Sequence, residues 1–224
     1  AAYTVQIGDG DTLAPPALVG AALKTPRTEH TATRLSDETG ADVLIIGGKD
    51  AAGLPVGTVE VFRPLSDEFE EVIGATMLVP RWGHIAVRLP GGFVLVLGGW
   101  QPDGLGGQMP VADMELYDPV LGRFTSAGRL ASTAGVNDLT ATPLPDGRVL
   151  LAGGRNEAGT PVSTTLIAQL DPANGRVNII ATNSLAAARA GQAAIALCDG
   201  TVLLVGGADG APAERYNPPA AGRR

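Results

Sequence analysis

FVLVLGG, residues 93–99, is a run of apolar residues that ends on a glycine pair, and the chain writes nearly the same phrase three more times. DVLIIGG ends at Gly48, RVLLAGG at Gly154 and TVLLVGG at Gly207. The second glycines lie at 48, 99, 154 and 207, so the steps are 51, 55 and 53 residues. A period of about 50 residues exceeds that of the common helical solenoid units and suits one four-stranded sheet per repeat.

Working outward from the run, each unit reads as a succession of strands. Upstream, HIAVRL at 84–89 alternates His84, Ala86 and Arg88 with Ile85, Val87 and Leu89, the period of two expected of a strand. The turns PGG at 90–92, PDG at 145–147 and CDG at 198–200 carry the glycine that tight hairpins favour. The opening run follows, continuous in Val, Leu and Ile, as a strand covered on both faces must be. Its closing glycines predict four equivalent corners, where a Cβ would obstruct a sharp bend or a close approach. Downstream, DMELYDP (113–119), TVEVFRP (58–64), IAQLDP (167–172) and AERYNP (213–218) predict a third strand that Pro ends. RFTSAG (123–128), EFEEVIG (68–74) and RVNIIA (176–181) predict a fourth. SLAAARAGQAAIA at 184–196 has the Ala for a helix, but its alignment to the repeats makes its second half a strand.

Composition narrows the classes of partner. A chain of 224 residues can bury a substantial core as one domain or one repeat array. Sixteen basic residues against twenty-three acidic ones, with no basic block, disfavour nucleic acid and anionic membrane surfaces. The apolar runs are far shorter than the roughly 20 residues that span a bilayer, so a soluble chain without membrane insertion is expected. Cys198 is the single cysteine, which excludes an intramolecular disulfide framework and a thiolate metal cluster.

The order R-x-x-H-x-A, D-G, apolar run with G-G, E-x-Y-D-P and G-x-aromatic resembles the kelch repeat over nearly the whole chain. Arg81, His84, Ala86, Gly98, Gly99, Glu115, Tyr117, Asp118, Pro119, Gly122 and Phe124 carry the best copy. The first repeat has Arg27 and His30 but a turn three residues longer, and Phe62 stands for the tyrosine. The third has Val136, Leu139 and Leu170 at the Arg, His and Tyr positions, and the fourth has Gln192 for the His. Leu and Gln at that position make the His a packing residue. The resemblance implies an all-β fold, a kelch-type β-propeller with four blades in this chain and one four-stranded antiparallel sheet per blade. A single domain over 1–224 would hold repeats at 27–74, 81–128, 136–181 and 189–218, the last lacking its outer strand. ALVGAALKTPR (17–27) aligns with EVIGATMLVPR (71–81), so a strand near 16–20, within the N-terminal segment 1–26, is expected to complete the last blade and hide two sheet edges. AYTVQI (2–7) aligns with a third strand and is surplus. Three geometries stay open: a four-bladed ring of one chain, a head-to-tail homodimer closing an eight-bladed ring, and part of a longer propeller.

Catalytic sets are thin. His30 and His84 occupy equivalent positions in adjacent repeats, but two His without a placed carboxylate do not make a metal site, and neither metal nor another cofactor is expected. The copper-radical oxidases that share kelch blades rely on a Cys-Tyr crosslink and several copper ligands, which Cys198 with Tyr3, Tyr117 and Tyr216 does not supply. No nucleophile elbow is present. GLGGQMP at 104–110 lacks the strand-to-helix context and the Lys of a phosphate loop, and reads as a long loop.

The kelch topology implies that loops following the glycine pairs and loops preceding the Arg-x-x-His strands emerge on one face. That face would gather Lys49, Asp50, Trp82, Trp100, Gln101, Asp103, Arg155, Asn156 and Asp209, on loops of unequal length between rigid strands. Trp82 and Trp100 are the only tryptophans, each readable as an exposed binding anchor or as a plug between blades. Arg27, Arg81 and Arg189 are expected to bond blade-to-blade carbonyls or carboxylates rather than a ligand. The expected function is a non-enzymatic binding or scaffold module that recognises a protein or glycan through this face. The alternative is a sugar-modifying enzyme in the central channel, as in kelch-like sialic acid epimerases. That enzyme would need an acid and a base where the first strands offer Ala32, Ala86, Ala141 and Ala194. Fourteen Arg against two Lys, with abundant Ala and Gly, fit a GC-rich bacterial genome, and bacterial kelch arrays are frequently exported, so an extracytoplasmic location is expected.

Overall fold

The computed structural model describes residues 3–4, 17–18, 21–171 and 173–219. Among them the fold is all-β: one 3₁₀ turn at Pro90–Gly92 accompanies the strands, and no helix is long and apolar enough to cross a membrane. β1 (Tyr3–Thr4) pairs with β2 (Ala17–Leu18). Sheet one comprises β3 (Thr31–Arg34), β4 (Val43–Ile46), β5 (Thr58–Arg63) and β6 (Glu68–Thr76). Sheet two begins with β7 (Ile85–Arg88) and β8 (Val94–Leu97), is interrupted by a separate hairpin of β9 (Trp100–Pro102) and β10 (Gln108–Pro110), and ends with β11 (Asp113–Asp118) and β12 (Arg123–Arg129). Sheet three comprises β13 (Thr140–Pro143), β14 (Val149–Ala152), β15 (Thr165–Asp171) and β16 (Arg176–Ala181). Sheet four has β17 (Ala193–Ala196), β18 (Val202–Val205) and β19 (Glu214–Tyr216). Every pairing is antiparallel between successive strands of a sheet.

The strand expected near 16–20 is represented by β2, which pairs with β1 and not with β19. Residues 16, 19 and 20 lie outside the described residues.

Apolar second strands force the sheets to stack, because each has two faces to bury. Leu44 and Ile46 meet Val94 and Val96 between sheets one and two. Leu95 and Leu97 meet Val149 and Leu151 between sheets two and three. Leu150 and Ala152 meet Val202 and Leu204 between sheets three and four. Val94, Leu95, Val96 and Leu97 are each 0% exposed, which only a core on either side can achieve. Each such side chain contributes about 1.5–3 kcal/mol. The first strands follow the same alternation: Ile85 and Val87 turn toward sheet three, Ala86 toward sheet one. Ala141 and Ala194 likewise pack into the core shared with the preceding sheet. Ala86, Ala141 and Ala194 are therefore inter-sheet spacers, small enough for β7, β13 and β17 to lie against their neighbours, whereas Ala32 of β3 is exposed.

The glycine pairs sit where one sheet touches the next. A Cβ on Gly98 would stand 2.2 Å from the Val136 carbonyl oxygen, and one on Gly99 would stand 2.6 Å from that of Trp82. Both hold positive φ, 70° and 88°, so sterics and backbone conformation exclude a side chain together.

A buried ion pair braces three of the four corners. Arg81 Nη1 donates to the Gly98 carbonyl (3.2 Å) and the Asp113 carbonyl (2.6 Å), Nε to the Val79 carbonyl (3.0 Å) and Nη2 to Glu115 Oε1 (2.6 Å). Glu115 in turn accepts the Leu78 and Val79 N–H groups at 2.6 and 3.0 Å. Arg27 with Glu60, and Arg189 with Glu214, reproduce the arrangement on Gly47 and Gly206. Every partner belongs to the arginine's own repeat or to the segment leading into it. This corrects the expectation of blade-to-blade bonds: the guanidinium reaches the glycine carbonyl and third strand of the sheet it enters. Repeat three has Val136 at the arginine position and, opposite Leu151 as Glu115 is opposite Val96, Leu166 at the glutamate position.

Gly98→Ala is expected to cost more than about 4 kcal/mol or to abolish folding. Gly159→Ala, at φ 78° with no described atom within 4 Å of the new Cβ, should cost only the left-handed backbone penalty of about 1–2 kcal/mol. Chemical denaturation of the two variants checks this, and equal losses would refute the close-approach account.

Candidate functional site

Past each of the first three glycine pairs the chain leaves its sheet, and the first loop residue bridges to the residue leading into the first strand. Lys49 pairs with Thr28, Trp100 with Trp82 and Arg155 with Asn137. The Lys49 and Thr28 N–H···O bonds are both 2.9 Å, and those of Trp100 and Trp82 are 2.9 and 3.1 Å. The two sets of loops therefore emerge together in these three repeats.

The loops then close on themselves. Asp50 Oδ1 accepts the N–H groups of Ala52 and Leu54, both at 2.9 Å. Asp103 Oδ1 accepts those of Leu105 (2.7 Å) and Gly107 (2.9 Å), and Asn156 Oδ1 those of Ala158 (3.1 Å) and Thr160 (3.0 Å). These backbone donors hold the Asp103 carboxyl below the usual carboxylate range. Asp50, Asp103 and Asn156 thus shape the face by capping their loops. GLGGQMP, expected as a long loop, supplies the turn after Asp103 and then β10, in which Met109 lies opposite Gln101. Asp209 is exposed in the turn beyond Gly207.

Two acidic residues that sequence reasoning missed complete the face. Glu29 and Asp138 both adopt left-handed backbone, φ 55° and 54°, at the repeat position that Gly83 and Gly191 fill elsewhere. Their carbonyls accept the N–H groups of those glycines in the next sheet, Glu29 from Gly83 at 3.0 Å and Asp138 from Gly191 at 2.7 Å. Their carboxylates neutralise the loop cations: Lys49 Nζ lies 2.5 Å from Glu29 Oε1, and Arg155 Nε lies 3.2 Å from Asp138 Oδ2. Lys49 Nζ also sits 5.7 Å from the centroid of the Trp82 ring, a cation–π distance. A Cβ on Gly83 would meet Trp100 Cδ1 at 3.6 Å and Glu29 Oε2 at 3.7 Å. Glu29, Lys49, Trp82 and Trp100 therefore converge where sheets one and two meet. Trp82 is buried and takes the plug role, whereas Trp100 is half-buried and reaches the surface. The alignment of Glu29 and Asp138 with two glycines was the signal that could have flagged them, since non-glycine residues rarely adopt that conformation.

The histidines do separate work. His84 is buried, and its Nε2 lies 2.9 Å from Thr31 Oγ1 of sheet one. Gln192, at the same repeat position, donates to the Ala152 carbonyl of the preceding sheet at 2.6 Å, so the position ties sheets as well as packing them. Burial, followed by the charges of Arg81 and His30, pushes the His84 pKa down to about 3. Burial and Arg27 lower that of the half-buried His30. Cys198 is exposed in a hairpin turn, Tyr117 lies in the core between sheets one and two, and the Tyr216 hydroxyl bonds Thr182 Oγ1 at 2.7 Å. Among the described residues no three His, Cys, Asp or Glu side chains group as metal ligands. At the hairpin end, a cavity of about 360 Å³ lies between Arg88, Pro90, Pro143, Pro145 and Arg148. Its arginines are paired, Arg88 with Asp37 at 2.5 Å and Arg148 Nε with Asp146 at 2.7 Å.

No family model matches the chain, and no curated protein matches it. Among solved structures it is similar to that of YjhT, with a TM-score of 0.69 and 15% identity over 92% of this chain and 65% of the other. At that identity the likeness concerns the fold alone, and the chain spans less than two thirds of YjhT.

Trp82→Ala should cost about 3–5 kcal/mol as a buried aromatic, and Trp100→Ala markedly less, in urea denaturation. Similar losses would make both plugs. His84 generates a pH dependence. Its native pKa lies below the unfolded value of 6.5, so under pH 6.5 the unfolded chain takes a proton that the native state refuses. Stability therefore falls as pH drops from 6.5 toward 3, by up to about 1.4 kcal/mol per unit. His84→Gln should remove that component, so its stability difference from wild type shifts in favour of the variant by about 2 kcal/mol between pH 7 and pH 4.5. A pH-independent difference would refute it.

Proposed function

We propose that the chain is a kelch-type β-propeller, entire or in part, and that it works as a non-enzymatic binding or scaffold module. The repeat signature and the stacked antiparallel sheets support the architecture. The observation that carries the function is the convergence of Glu29, Lys49, Trp82 and Trp100 on the loop face. Trp100 offers apolar surface, and the Lys49–Glu29 pair sets a donor beside an acceptor. Side chains of a protein or hydroxyls of a glycan match that combination. Loops already closed by Asp50, Asp103 and Asn156 need little further ordering on binding, which favours affinity. Glu29 and Asp138 are engaged with cations, and Asp50 and Asp103 with backbone donors, rather than poised for proton transfer.

Intrinsic fluorescence reports on this face directly, because it holds both tryptophans. Probes selected from an oligosaccharide array and from a peptide array should shift the emission on titration. Trp100→Ala and Lys49→Ala, with unchanged circular dichroism, should each weaken array binding by at least about tenfold. Chemical conversion of a bound probe, or binding indifferent to both variants, would overturn the reading.

A further inference from the structure

The hairpin of β9 and β10 carries apolar side chains on both faces and at its tip. Cross-strand partners share a face, so Trp100, Pro102 and Pro110 lie on one side and Met109, opposite Gln101, on the other. Leu105 at the tip is 93% exposed and Met109 44%. Single exposed apolar residues need no explanation, but apolar residues gathered on one projecting hairpin mark an interaction surface. Sheet two is packed between sheets one and three, so the tip stands open with a neighbour on either side. Asp103 Oδ1, through the Leu105 and Gly107 N–H groups, holds Leu105 out on a closed turn.

Main-chain pairing is nearly closed to a partner of this hairpin. Val111 N–H bonds the Gly99 carbonyl and Asp103 N–H the Gly107 carbonyl, so Trp100, Pro102, Gln108 and Pro110 turn their backbone nitrogens outward. Trp100 N–H is already given to the Trp82 carbonyl, and the two prolines have no N–H, which leaves Gln108 alone. Recognition therefore runs through side chains rather than through an added strand.

Charge selects the class of partner. On the loops that follow the glycine pairs, Lys49 is paired with Glu29, Arg155 with Asp138 and Glu157 with Arg129. Asp50, Asp103 and Asp209 have no cation among the described residues. The uncompensated charge of these loops is negative, and it lies beside exposed aliphatic side chains: Leu105 follows Asp103, and Leu54, 59% exposed, follows Asp50. Neutral glycans bring no charge to such a surface and acidic glycans bring the wrong sign, whereas Lys and Arg side chains complement it. We propose that the loop face binds a polypeptide, with the β9–β10 hairpin seating Leu105 and Met109 in an apolar groove edged by Lys or Arg side chains that meet Asp103 and Asp50. This rests on the loop face being the binding surface, and adds to it the partner class and the anchoring element.

Fluorescein-labelled peptides in which Lys alternates with Leu, their counterparts with Glu in place of Lys, and labelled neutral oligosaccharides are the probes, read by anisotropy at low and high salt. The Lys-Leu peptides should bind and weaken as salt rises, with the other two classes at least about tenfold weaker. Leu105→Ser, with the circular dichroism of wild type, should weaken peptide binding at least about tenfold. Asp103→Asn should weaken it about fivefold and flatten its salt dependence. Asparagine retains the loop cap, as Asn156 does in sheet three. Glu38→Gln, at an exposed position between β3 and β4, removes one charge at the opposite end of the sheets and should leave binding unchanged. Equal weakening by Glu38→Gln and Asp103→Asn would mean attraction to an acidic chain at large and overturn the proposal, as would preferential binding of the Glu-Leu peptides or the oligosaccharides. Peptide binding weakened by Trp100→Ala and Lys49→Ala but not by Leu105→Ser would also overturn it, while keeping the loop face as the site. Binding indifferent to all of these loop variants would remove both.

Discussion

A strand that is apolar on both faces cannot be stable at the surface of a lone sheet, and this chain repeats such a strand four times. Stacking is the response. Once β4, β8, β14 and β18 are stacked in succession, with β8 and β14 covered on both faces, much of the remaining architecture follows from the spacing the stack imposes. First strands approach one another and carry Ala86, Ala141 and Ala194 at the contact. Second strands end against the neighbour's entering segment, where only the glycine pairs fit. Alternation along the strands then assigns successive residues to different cores, so that Val94 and Leu95 are buried equally in different places.

The buried arginines follow from the same crowding. A carbonyl at the glycine corner has left its ladder and lost contact with water, and so have the N–H groups of the segment entering the repeat. Arg81 serves the first and Glu115 the second, and their own attraction closes the network. Taking both charges out of water is costly, so the pair is worth having only with its backbone partners in place. Repeat three bears this out by lacking both members at once, Val136 and Leu166 standing where one charge alone would be stranded. Val136 is buried there, and the next residue, Asn137, takes the Gly99 N–H of the preceding sheet on its amide oxygen.

The period and the strand order were legible because turn glycines, strand-ending prolines and period-two alternation are local signals. β5, β6, β11, β12 and β16 form where those signals lie. Direction across the stack was not legible. Alternation separates Ala86 from Ile85 but does not tell which side faces which neighbour, so Ala86, Ala141 and Ala194 read as facing a channel when they pack between sheets. The partners of Arg27, Arg81 and Arg189 were misplaced for a related reason: the side chain folds back over its own sheet, a geometry set by the approach segment and invisible in residue spacing. On the loop face, Lys49, Trp82 and Trp100 were placed together by their positions after the glycine pairs and before the first strands. Their link to Glu29 depends on a left-handed backbone that a glutamate seldom adopts.

The loop caps on that face share one pattern, with the side-chain oxygen of residue i taking the N–H groups of i+2 and i+4 in all three loops. Such a loop carries its own folding instructions and borrows little from the sheets beneath it. The hairpin of β9 and β10 illustrates the point, being a longer excursion with the same cap at its tip. Surface chemistry can therefore drift by mutation or insertion between one glycine pair and the next strand while the stacked cores stay under separate selection. Loops of this kind can be exchanged on a repeated frame, an arrangement by which a repeat protein can acquire new recognition without refolding.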